Sequence, residues 1–148
     1  MRKTVTAPRP AFVKNPAATQ SHIEGVAARF RHAMAASDFP VACQCCEEVL
    51  RVMPHNMQVL SDYALTLMRI GEYKKSYKTY QKIYQAPAAQ RAQASDTWLD
   101  GLTEVCGWLE KHDEVARYGR ESLEKSDAIF RQGHKVAFPT ETPPPFNP

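Results

Sequence analysis

Cys43, Cys45 and Cys46 cluster on one stretch of chain and, with Cys106, are its four thiols. On a helix, Cys43 and Cys46 are three positions apart and share a face, so both could approach one metal ion. Tetrahedral zinc normally takes four ligands. Cys45 points elsewhere, and His55 or Cys106 would have to converge by folding. The thiols are therefore read as small buried hydrophobes in a reducing setting, with no metal or cofactor expected. The histidines His22, His32, His55, His112 and His134 show no ligand spacing and no nucleophile–base pairing. Ser, Cys, Asp and Glu form no recognisable catalytic pattern, and no glycine loop suits phosphate. The sequence reads as that of a non-enzyme.

A second constellation is Tyr73, Tyr77, Tyr80 and Tyr84, a stripe at helical spacing interleaved with Lys74, Lys75, Lys78 and Lys82. Tyrosines and lysines so arranged could stack bases and hold phosphates. The same stripe serves equally as a packing face with solvated lysines opposite, and that reading is preferred. The net charge of +3 is too small to argue for a nucleic-acid partner, and none is expected.

These residues need helices to position them. The hydrophobic fraction of 43% is ordinary for a globular domain, and 148 residues allow one sizeable core. Between Ala17 and Gly133 the only prolines are Pro40, Pro54 and Pro87, a spacing that favours helix over sheet. Arg2, Lys3, Arg9 and Lys14 precede the first acid, Glu24, so residues 1–16 read as an extended basic arm; prolines fit a mitochondrial transit helix badly. No apolar run suits a signal peptide or membrane span, and a cytoplasmic location is expected. Residues 17–137 form the helical domain. Residues 138–148 read as a Pro-rich tail or linker, where Pro143-Pro-Pro145 favours an extended conformation.

Within the domain, Ser21-His-Ile-Glu24 resembles a capping box that starts helix one, with Ile23, Val26, Ala27, Phe30 and Met34 on its apolar face. Asp38 and Pro40 start helix two and Pro54 stops it. Asn56 caps helix three and Gly71 ends it. Helix four runs from about Tyr73 to Gln85. Helix is expected from about Ala88 to Lys111, with a possible break near Ser95 and a cap at Ser95-Asp96-Thr97. Helix six follows Asp113, packing through Val115, Ala116, Tyr118, Gly119 and Leu123. Ala128, Ile129 and Phe130 extend it, and Gly133 stops it. Asp127 to Gln132 is expected to act as a capping helix.

Helix two overlays helix four at a fixed offset of 34: Asp38 on Glu72, Phe39 on Tyr73, Ala42 on Ser76, Cys46 on Tyr80 and Val49 on Ile83. Leu60-x2-Tyr63-Ala64-x2-Leu67, Ser76-x3-Tyr80 and Pro54 resemble the tetratricopeptide repeat, whose period is 34 residues. Arg29 departs from the apolar position matching Tyr63. Leu99-x2-Leu102-Thr103-x2-Cys106 and Ala116-x3-Arg120 give a third, degenerate repeat, the latter offset by 40 from Ser76. The resemblance spans about Ile23 to Lys125. It implies an all-α fold: a short right-handed solenoid of stacked antiparallel helix hairpins closed by a C-terminal capping helix.

The same resemblance implies a protein-interaction adaptor that holds a peptide or partner domain on the concave face. The face would present Ala27, Arg31 and Met34, then Gln58, Ser61, Asp62, Leu65, Met68 and Arg69, then Asp100 and Glu104. In this family the second helix of each hairpin lies on the convex side, which moves the tyrosines away from that face. One branch of the family grips carboxylate tails with a basic clamp. Asp62 at a clamp position would repel such a tail, whereas Arg31 and Arg69 beside Met34, Leu65 and Met68 suit a mixed apolar and acidic peptide. Two other expectations stand beside this one. The Pro-rich end is similar in organisation to bacterial proteins in which such repeats precede a glycosyltransferase-like domain. The size is similar to that of small three-repeat secretion chaperones, although known members tend to be acidic.

Overall fold

A computed structural model of the chain describes residues 16–137, with side chains over residues 19–132. The expected basic arm up to residue 15 and the tail 138–148 lie outside the described residues. The order is α1 (Pro16–Ala35), α2 (Phe39–Val52), α3 (Met57–Arg69), α4 (Tyr73–Tyr84), α5 (Ala88–Arg91), α6 (Trp98–Trp108) and α7 (His112–Ala137). No strand occurs among the described residues, and the fold is all-α. No described helix is long and apolar enough to cross a membrane.

Local chemistry sets most of the boundaries. Asp38 Oδ1 accepts from the Val41 N–H at 3.4 Å, and Asn56 Oδ1 accepts from the Val59 N–H at 3.0 Å, so each satisfies a helix-start donor that has no partner within the helix. Helix one begins earlier than expected. It starts at Pro16, a residue suited to a first helical turn, so Ser21 lies inside α1 rather than capping it. Glu24 accepts instead from Gln20 Nε2, one turn back, at 3.1 Å.

Three helix–helix turns are built alike. Ser37, Gly71 and Glu110 all have positive φ, at 57°, 87° and 57°. Beyond each, an N–H donates to a carbonyl five residues earlier: Asp38 to Ala33 at 2.7 Å, Glu72 to Leu67 at 2.9 Å and Lys111 to Cys106 at 2.9 Å. This is the helix-ending pattern in which a left-handed residue lets the chain satisfy the last carbonyls. Glycine reaches it without strain; Ser37 and Glu110 do not. Ser37→Gly and Glu110→Gly are each expected to raise stability by about 0.5–1 kcal/mol, read as a higher urea midpoint at unchanged slope.

The turns are spaced 34 and 39 residues apart (71 − 37 and 110 − 71), which corrects the third hairpin by one residue. Ser76 corresponds to Val115 and Tyr80 to Gly119, not to Ala116 and Arg120. Val115 is half-buried against the core, whereas Ala116 is exposed. The close approach falls at Gly119, where an added Cβ would lie 3.6 Å from Thr103 Cγ2. In the second hairpin the close approach falls one turn earlier, at the fully buried Ser76, which donates through Oγ to the Ala64 carbonyl at 2.6 Å.

From α1 to α4 each helix packs on its neighbours in the chain, α6 packs on α7, and α6 also packs on α4 and α3. The main core joins Leu60, Ala64, Tyr80, Ile83, Leu102 and Tyr118 from α3, α4, α6 and α7. The insert between α4 and α6 departs from the expected long helix. It forms one turn, α5, then leaves helical geometry until Trp98. Tertiary bonds hold it there. Arg91 Nη1 donates to the Tyr84 carbonyl at 3.0 Å, the Ser95 N–H donates to Ser61 Oγ at 3.2 Å, and Ala94 is buried in the core. Helix α6 starts at Trp98 without a side-chain cap from Thr97, which corrects the expected role of Ser95-Asp96-Thr97.

Helix α7 runs unbroken through Gly133 to Ala137, so Gly133 is not a stop and Asp127 to Gln132 is not a separate capping helix. Its 26 residues span roughly 39 Å, while the 11 residues of its partner α6 span roughly 16 Å. The contacts α7 makes with α6 beyond Tyr118 include Ser122 to Asp100 and Lys125 over Trp98. Leu123, expected to pack, is 74% exposed, and Ile129 and Phe130, expected to extend the helix, are 60% and 69% exposed; Tyr118, also expected to pack, is the anchor at 1%.

Candidate functional site

Helices α1 and α3 border a groove of about 310 Å³ whose floor is the buried side of α2, formed by Cys45, Cys46 and Val49. Ala27, Phe30 and Arg31 come from α1; Gln58, Val59 and Asp62 come from α3. The i, i+3 and i, i+4 spacings put each trio on one helix face. The walls are apolar where Val26, Phe30 and Val59 pack with Cys45 and Val49.

Asp62 is the acidic group in this groove. Burial pushes its carboxyl above the usual carboxylate range, and a bond from Gln58 Nε2 to Oδ1 at 3.3 Å partly opposes the shift. Because the folded-state pKa is raised, ionised Asp62 weakens the native state at pH above that value. The penalty fades as pH falls through it and vanishes below the ordinary value of 3.8. Asp62→Asn keeps the acceptor for Gln58. It is expected to raise the urea midpoint at neutral pH, with the gain disappearing on acidification.

Four of the expected concave residues therefore meet in one place: Ala27, Arg31, Gln58 and Asp62. The others do not join them. Ser61 is buried, its hydroxyl donating to the Gln58 carbonyl at 2.7 Å and accepting from Ser95, so it anchors the insert rather than facing a ligand. Met68 is 4% exposed in the main core it shares with α6, with Leu65 half-buried against it. Met34 is half-buried, and Arg69 is exposed away from the groove lining. Asp100 turns to α7, where it accepts from Ser122 Oγ. Glu104 is exposed; after burial, its charge is the largest influence raising the pKa of the Tyr80 hydroxyl, which Arg69 opposes. Phe30, read from the sequence only as part of an apolar helix face, and Val59, not singled out, are the groove residues that reading missed.

The tyrosine stripe is occupied by the protein itself. Tyr73 stacks on Trp108 at 5.1 Å and 6°. Tyr77 Oη donates to Glu114, Gln81 Nε2 donates to Tyr118 Oη at 3.0 Å, and Tyr84 Oη donates to Glu121 at 2.7 Å. These three bonds share a separation of 37 residues and form a ladder between α4 and α7. Tyr80 is buried, and Tyr84 meets the Tyr118 ring edge-on at 4.9 Å.

All four cysteines are free and buried. Burial raises the thiol pKa of Cys43 and Cys46 and pushes that of Cys106 up to about 11, disfavouring the reactive thiolate. Cys43 Sγ donates to Thr66 Oγ1 at 3.4 Å. Among the described residues no group of three or more His, Cys, Asp or Glu is placed to hold a metal ion. In comparisons with known proteins, no family model, no curated protein and no solved structure matches the chain.

Proposed function

We propose that the chain is a tetratricopeptide-like interaction module, a short right-handed solenoid that holds a peptide or helix of a partner protein between α1 and α3. The observation that carries this is the groove itself: apolar walls at Phe30 and Val59, one desolvated carboxylate at Asp62 and one exposed cation at Arg31. Three hairpins with the same left-handed turn support the repeat reading, since a lone hairpin leaves its apolar face uncovered and stacking covers it. An apolar side chain of the partner would seat against Phe30 and Val59, with a hydrogen-bond donor toward Asp62. A terminal carboxylate would be repelled there. The role is binding without catalysis, and free buried thiols suit a reducing, cytoplasmic setting.

The test is co-purification from the native host. A partner captured by the wild-type chain should be lost from Ala27→Glu and Asp62→Lys and kept by Lys125→Glu on the exposed side of α7. Retention by both groove variants would sink the proposal. A second reading, an accessory module whose α7 seats a neighbouring domain of a larger enzyme, is favoured by the exposure of Leu123 and Ile129. In the protein encoded by the parent reading frame, Leu123 would then resist labelling when replaced by cysteine.

A further inference from the structure

On a different face, α2 and α4 border an open cleft of about 550 Å³. Arg51 comes from α2, and Lys75, Lys78 and Lys82 come from α4 at i, i+3 and i+7; Glu47 is the one acid. Four cations and one anion leave the cleft with a net charge of +3, equal to that of the whole chain, so the remaining residues sum to zero. Glu47 is already engaged: it accepts from Tyr63 Oη at 2.8 Å and lies 3.9 Å from Lys75 Nζ. Among the described residues no carboxylate pairs with Arg51, Lys78 or Lys82. Three cations therefore face one cleft with their charge uncompensated. Its apolar lining is Leu60, buried, Leu50, half-buried, and Pro54.

We propose that this cleft binds an acidic peptide segment of a partner protein, with one aliphatic side chain over Leu50 and Leu60 and flanking carboxylates on Arg51, Lys78 and Lys82. Charge complementarity selects the flanks, and the apolar lining selects the anchor. The lining also sets a peptide apart from nucleic acid. Tyr63, the aromatic residue of the cleft, is tied to Glu47 through its hydroxyl and carries Lys75 over its ring at 5.8 Å, so it presents no bare face for a base. The surface is separate from the α1–α3 groove and does not depend on the role proposed for it.

The test uses the full chain labelled with nitrogen-15 and four probes. These are a short synthetic peptide with a central leucine flanked by glutamates, its counterpart with lysines for glutamates, a single-stranded oligonucleotide, and inorganic phosphate. The acidic peptide should shift the amides of Leu50, Leu60, Tyr63, Lys78 and Lys82, with binding that weakens as salt rises. Lys78→Glu with Lys82→Glu should weaken it by about tenfold or more, whereas Ala27→Glu in the other groove should leave it unchanged. Both lysines are exposed, so the double variant keeps its fold, checked by an unchanged thermal midpoint. Absence of these shifts, equal binding of the basic peptide, or equal or tighter binding of the oligonucleotide or phosphate at the same amides would each overturn the proposal.

Discussion

Gly101→Ala should lower stability by about 2–3 kcal/mol, although alanine ordinarily improves a helix interior by about 1 kcal/mol over glycine. The sign is decided by Tyr80. A Cβ at Gly101 would lie 2.6 Å from Tyr80 Cζ and closer still to its hydroxyl. Tyr80 is 2% exposed and held among α3, α4 and α6, so its ring has no space into which to retreat. Gly107, on the same helix α6, is the internal control. Nothing lies within 4 Å of a Cβ added there, so Gly107→Ala should stabilise by about 1 kcal/mol. Chemical denaturation of the two variants should give opposite signs. In a Tyr80→Leu background the penalty at Gly101 should shrink, and the double-mutant cycle measures that coupling.

Tyr118→Ala should cost about 3–5 kcal/mol and act mostly on one helix. Tyr118 is 1% exposed and is the buried residue through which α7 joins the main core. Its ring supports Tyr84, and its hydroxyl accepts from Gln81 and from Arg117 at 2.9 Å. Truncation leaves a cavity between α4 and α7 and removes the central rung of the 37-residue ladder. Tyr118→Phe keeps the ring and should cost only about 1 kcal/mol. Hydrogen exchange separates the two effects. Tyr118→Ala should abolish protection across α7 while α1 and α2 keep theirs, because packing in this chain runs mainly between neighbours. Uniform loss across all helices would show that the hairpins do not respond separately.

The elements legible in the sequence are those fixed by local chemistry. Asp38, Asn56 and Gly71 act within one turn of their own helix ends, and each performs there as its residue type dictates. What the sequence hid depends on distant partners. The insert stops being helix because Ser95 finds Ser61 and Ala94 finds the core, neither adjacent in sequence. The same insert withdraws Ser61, and α6 withdraws Met68, from the face both were expected to line. Leu123 reads as core on any helical wheel; it is exposed because Ser122 and Lys125, not Leu123, turn toward Asp100 and Trp98 of α6. The slip from Ala116 to Val115 has another origin. Ala116 suited the small-residue position of Ser76, and only the left-handed turn at Glu110 fixes the register at Val115. Of the candidate site, Ala27, Arg31, Gln58 and Asp62 were carried over from the groove positions of the tetratricopeptide repeat that the sequence resembles, while the groove's apolar wall required knowing how α1 and α3 stand over α2.

The three alike turns have a consequence for how the chain reaches its structure. Each joins backbone groups five residues apart, and the bonds that tie α4 to α7 join residues 37 apart. Little loop entropy must be lost before such contacts begin to form. A helical chain of this low contact order is expected to refold in microseconds to milliseconds, each hairpin zipping from its own left-handed residue.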